Sequence, residues 1–145
     1  MPQQILELTG DDTTRLSDQF ALVHQLALST LGRGLAQDES DLGVLQALLD
    51  AGALTREQTY ELQSMGVVFG FRLLSALEGL DWAIVEDEYG RDPALRYLDT
   101  SILLFPLTMI SKRVEAGTDV DVAGLFRTIC DGFDDVRRRM GVSVS

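Results

Sequence analysis

Acids crowd one short stretch of this chain. Asp81 precedes the run Glu86-Asp87-Glu88, and Tyr89-Gly90-Arg91-Asp92-Pro93 follows it. On an extended strand Glu86 and Glu88 point to one face and Asp87 to the other. Two carboxylates on one face can hold a hard cation, or work as an acid–base pair when one pKa is raised. The spacing fits no EF-hand loop, and no His or further ligand follows at a diagnostic distance. Arg91, Arg96, Lys112 and Arg113 come later and can neutralise these acids. An electrostatically balanced turn therefore competes with a functional reading, because structural ion-pair networks perturb charged groups as sites do. The binding surface expected here comprises Glu86, Asp87, Glu88, Arg91, Asp92 and Arg113. No metal and no cofactor are expected.

Other chemistries find less support. The single His, His24, sits inside a helical pattern beside its apolar stripe, and no Gly-x-Ser-x-Gly elbow accompanies it. Cys130 also lies beside an inward stripe, where a thiol behaves as a small apolar group. A catalytic Cys wants a basic or helix-N-terminal setting, and the neighbours Asp131 and Asp134 oppose that. Neither a Gly-rich phosphate loop nor a zinc pattern is present.

These groups must be held by one ordinary domain, since the chain has 145 residues. Hydrophobic residues make up 46%, enough for a packed core. The longest apolar runs are too short to span a bilayer. The first residues read as no signal peptide. One cysteine cannot form an internal disulfide, which points to a reducing cytoplasm. The net charge is −11, and residues 91–145 balance eight acids against eight bases, so the excess lies in residues 1–90. Phosphate backbones and anionic membranes both need clustered Lys and Arg, so neither nucleic acid nor membrane is an expected partner. A basic protein partner is permitted, and a homodimer remains open.

Periodicity predicts a helix over 11–32, with Leu16, Phe20, Val23, Ala27 and Leu31 as its stripe. Asp12, Thr13 and Thr14 are its candidate caps and Gly32 its stop. Ser40 caps a second, short helix through Leu49. Thr55 opens a third helix, with Gln58 at capping-box spacing. That helix is apolar on most of its girth and should be the most buried. Gly66 and Gly70 share one face, so another backbone should cross there closely. Arg72 interrupts the apolar stretch and rules out a membrane dimerisation motif.

Next come short strands at 82–85, 94–98 and 101–105, with a turn over 89–93. Pro106 suits the first turn of a helix carrying Leu107, Ile110 and Val114 inward. Asp121 caps the last helix, whose stripe is Val122, Leu125/Phe126, Ile129, Phe133, Val136 and Met140. The expected fold is α+β in a single domain: N-terminal helices, a small three-stranded antiparallel sheet, then two C-terminal helices.

Several segments carry a family likeness: Gly66-Val67-Val68-Phe69-Gly70, Gly79-Leu80-Asp81-Trp82, Glu86-Asp87-Glu88-Tyr89-Gly90, Pro93-Ala94-Leu95-Arg96, Phe105-Pro106-Leu107 and Lys112-Arg113-Val114-Glu115. In this the chain resembles a bacterial family, domain of unknown function 3806. The likeness covers about residues 55–140, with residues 1–52 as a helical extension packed on that part. It implies a small bacterial domain and carries over no activity. Two functions stand as expectations. One is a non-catalytic protein-binding domain of the immunity or neutralising type, meeting a basic partner through the acidic corner. The other is a small metal- or acid–base-dependent enzyme using Glu86 and Glu88, with Arg113 in support. A concave site with converging carboxylates would mark the enzyme, and a flat or convex acidic surface the binder.

Overall fold

The computed structural model describes residues 3–140. Along the chain run β1 (Gln4–Leu6), α1 (Gly10–Leu31), α2 (Ser40–Asp50), α3 (Thr59–Ala76), β2 (Leu80–Asp87), β3 (Gly90–Tyr97), β4 (Leu103–Leu104), α4 (Leu107–Glu115) and α5 (Val122–Arg139). The fold is α+β.

Helix α3 is the axis of the molecule. Leu62, Met65, Val67, Val68, Phe69 and Leu73 are all fully buried. Burying each such side chain contributes roughly 1.5–3 kcal/mol, an upper estimate. That outweighs the cost of about 1 kcal/mol for each of its two internal glycines. The expected close crossing is present. A Cβ on Gly66 would stand 2.5 Å from Leu107 Cα and 2.5 Å from Pro106 O, so the start of α4 runs directly over this glycine. At Gly70 the same space is taken by the Trp82 ring and Pro106.

Helix α1 packs on α3 through Leu16, Val23 and Ala27. Its cap is Thr9 rather than Asp12, Thr13 or Thr14. The Thr9 hydroxyl accepts from the Asp12 amide while the Asp12 carboxylate accepts from the Thr9 amide, a complete capping box. Gly32 ends the helix at φ 73°, as expected. Helix α2 begins without a side-chain cap, because the Ser40 hydroxyl is turned back to Asp38. Thr55 does not open α3. Its amide donates to Gln58 Oε1 at 2.8 Å within a turn, and the helix starts at Thr59. Gln46 ties α2 to α5: its Oε1 accepts from Val122 N at 2.8 Å and its Nε2 donates to Val120 O at 3.1 Å.

The sheet has four strands rather than three, in the order β1-β2-β3-β4, all antiparallel. The extra strand is the N-terminal Ile5/Leu6 patch, with Ile5 opposite Val85. The turn also lies earlier than 89–93. Asp87 pairs with Gly90, leaving Glu88 and Tyr89 as the hairpin tip, and Arg91, Asp92 and Pro93 belong to β3. Pro93 is tolerated for a definite reason. The Tyr97 amide donates to Ile102 O, toward β4, so by strand alternation the nitrogen at position 93 also points away from β2. Strand β4 is too short to reach it, and no ladder bond is lost.

Helix α5 starts at Asp121, whose carboxylate accepts from Gly124 N at 3.1 Å. Its inward stripe is shorter than predicted. Val122 and Phe133 are buried, but Val136 is 40% and Met140 52% exposed. The last turn runs past the core instead of over it.

Candidate functional site

The acids of the predicted corner are spread along the hairpin rather than gathered. Glu86 is a β2 residue facing Arg91 across the ladder, with Gln4 of β1 on its other side. Glu88 is not on the strand, so it does not share a strand face with Glu86 as the sequence suggested. The Asp87 carboxylate accepts from the Tyr89 amide at 2.8 Å and shapes the turn. Glu86 and Asp87 are half-buried, and Glu88 and Asp92 are exposed. Tyr89, between them, is 88% exposed.

Arg91 is a tether. It pairs with Glu86 at 3.4 Å and, more tightly, with Asp12 in the first turn of α1. Burial raises the Asp12 pKa, but hydrogen bonds from the Thr9 amide and hydroxyl and from Arg91, together with the Arg91 charge, hold it below the ordinary carboxylate value. Two of the other bases expected to balance the corner, Arg96 and Arg113, are engaged elsewhere. Arg96 donates to the carbonyls of Thr100 and Asp99. Arg113 donates to Met109 O at 2.7 Å within its own helix and makes no ion pair among the described residues. Its neighbour Lys112 joins the hairpin instead, lining with Asp92, Pro93 and Phe105 a hollow of about 270 Å³.

Of the two carboxylates expected to cooperate, Glu86 is engaged by Arg91 and Glu88 lies at the hairpin tip rather than on the strand. Among the described residues no group of three or more His, Cys, Asp or Glu is placed to share an ion. His24 is a loop clamp. Its Nδ1 accepts from Leu35 N at 2.9 Å, and its ring lies against Gly34. Cys130 is half-buried, and burial followed by Asp134 and Asp131 pushes its thiol pKa up.

Two features escaped sequence reasoning. The first is the exposure of Tyr89, whose only signal was an aromatic residue inside a run of turn-forming residues. The second is an apolar pocket of about 370 Å³ between α1, α3 and the start of β2. Phe20, Phe71 and Trp82 wall it, stacked edge to face at centroid distances of 5.7 and 5.5 Å. Arg72 stands in that wall. Nearby, the fully buried Asp41 carboxylate accepts from Ala36 N at 2.7 Å and Gln37 N at 3.0 Å, fixing the loop that brings Gln37 to the rim.

Residues 41–126 match the family described as Domain of unknown function (DUF3806). The match takes in α2, which the sequence likeness had left outside. No curated protein matches the chain. The fold is similar to a 1.50 Å crystal structure of a protein from Bacteroides thetaiotaomicron VPI-5482, with a TM-score of 0.83 and 19% identity. The likeness covers 91% of this chain and 48% of that one, so this chain spans about half its length. Among the described residues no helix is long and apolar enough to cross a membrane.

Proposed function

The chain belongs to the DUF3806 family, which is defined without an activity, and from that footing we propose that it is a non-catalytic protein-binding domain working in the cytoplasm. Its docking element is the β2–β3 hairpin and its partner is a basic protein surface. A neutralising or immunity role fits this profile. One observation carries the reading: Tyr89 stands 88% exposed at a hairpin tip, bracketed by Asp87, Glu88 and Asp92. An isolated Tyr gains nothing for the fold in that position. Tyr is the kind of residue that anchors interfaces, and a rim of acids adds steering and selectivity toward a basic surface. Glu86 and Arg91 serve by stiffening the hairpin against α1.

The test compares the wild-type chain with Tyr89→Ala and with Glu86→Gln/Glu88→Gln as immobilised bait in bacterial lysate. Both variants should keep their stability to within about 1 kcal/mol, because the altered groups are exposed or surface-paired. The reading expects a basic protein that elutes at raised salt and is lost from Tyr89→Ala. Equal capture by all three baits would defeat it. A rise in melting temperature of the wild type with Ca²⁺, Mg²⁺ or Mn²⁺, absent from the double variant, would replace it with a metal-dependent site.

A further inference from the structure

The apolar pocket beside α1 contains more than apolar walls. Arg72 and Trp82 line it, and both Arg72 Nε and Trp82 Nε1 are buried without an acceptor among the described residues. Buried donors are nearly always paired, since leaving one unpaired costs the desolvation of that group. Arg72 also has no carboxylate within ion-pair distance among the described residues. Its charge is felt by Asp38, as the least of the influences that lower that carboxyl's pKa after the Ser40 hydrogen bonds. The pocket thus joins three aromatic side chains to an arginine and an indole, of which Arg72 Nε and Trp82 Nε1 lack an acceptor among the described residues. Thr13 and Ser17 add two hydroxyl groups from α1.

We propose that this pocket binds a small organic carboxylate with an aromatic or branched apolar body. The body lies against Phe20, Phe71 and Trp82, and the carboxylate accepts from Arg72 and from the Trp82 indole. A planar guanidinium is suited to a carboxylate, and the low-polarity walls strengthen the pairing. The two donors are shielded in the present packing, so binding requires both side chains to readjust toward the ligand. The cavity of about 370 Å³ has room for a body the size of phenylacetate with space to spare. The site shares Trp82 of β2 with the hairpin but lies at the opposite end of that strand from the Tyr89 tip, and it does not depend on the function of that tip.

Trp82 is the only tryptophan, which makes it a built-in reporter. Phenylacetate is titrated into the ¹⁵N-labelled chain while the indole N–H resonance and the tryptophan fluorescence are followed. The expected result is a saturable shift of that resonance, with phenylacetamide binding at least about tenfold more weakly because it lacks the charge. Arg72→Met should lose phenylacetate by a similar factor. Should Arg72→Met fail to fold, Ser17→Leu serves in its place: position 17 is exposed on α1, and the larger side chain should block the pocket without lowering the melting temperature. No saturable shift at millimolar phenylacetate overturns the proposal, as does equal binding of the amide or full binding by Ser17→Leu. An indole N–H that exchanges rapidly with solvent and ignores phenylacetate would assign the pocket to water and overturn it too.

Discussion

Leu107 lies on Gly66 so closely that its Cα would be 2.5 Å from any Cβ placed there. Backbone is on both sides of this contact, so neither partner can rotate away. Gly66→Ala gains helix propensity of about 1 kcal/mol, yet it should still destabilise, by about 1–3 kcal/mol, because α4 must shift as a body. Gly66→Leu should not fold. Urea denaturation of the two variants checks the order, and equal stability of Gly66→Ala and wild type would mean that α4 slides freely on α3.

Trp82 seals the start of β2 against α3, meeting Phe71 at 5.5 Å and filling the space above Gly70. Because one side of its ring borders the pocket, we predict that Trp82→Ala costs about 3 kcal/mol, at the low end of the range for tryptophan truncation. Thermal melts measure it. An unchanged melting temperature would move Trp82 from the core to the ligand site alone.

Asp12 joins the cap of α1 to the hairpin through Arg91. Its pKa is lowered on folding, so the folded chain holds fewer protons than the unfolded one below the ordinary carboxylate value. The resulting stabilisation is complete above that value and disappears as the pH falls through the folded pKa of Asp12. Arg91→Gln removes a hydrogen bond and a charge. It should therefore raise the Asp12 pKa and shrink this acid-sensitive share of stability. Carboxyl ¹³C titration by NMR reads the shift directly, and an unmoved Asp12 would show Arg91 to be a bystander.

Cys130 should be a slow nucleophile. Its thiol pKa is raised by burial and by Asp134 and Asp131, which lowers the thiolate fraction at neutral pH. Alkylation by iodoacetamide should run several-fold slower in the folded chain than in urea. Asp131→Asn with Asp134→Asn should speed it. Labelling at the urea rate in the folded state would contradict the assignment.

Much was legible in the sequence because it depends on near neighbours. Periodicity located the helices, since a stripe at helical spacing has only one way to meet a core. Gly32 and Asp121 marked their ends through local backbone and capping geometry. Gly66 announced a close crossing, although not its partner. The α+β class followed from the order of these segments. The acidic run was visible too, but its strand-face pairing was not. Whether Glu88 belongs to a strand or a tip depends on the register of β2 with β3, and register is set by the whole packed face.

What only the tertiary structure decided are relations between distant positions. Residues 4–6 became a strand because the edge of β2 was there to pair with, a fact no local pattern contains. Pro93 could enter a strand because β4 stops short of it. Asp12 met Arg91 across 79 positions of chain. Arg72 looked like an interruption in an apolar helix until Phe20 of α1 and Trp82 of β2 closed around it as a pocket. Local sequence specifies which residues turn, coil and extend. Only the packing of distant segments, which removes water from some polar groups and leaves others exposed, determines which of them are left seeking a partner.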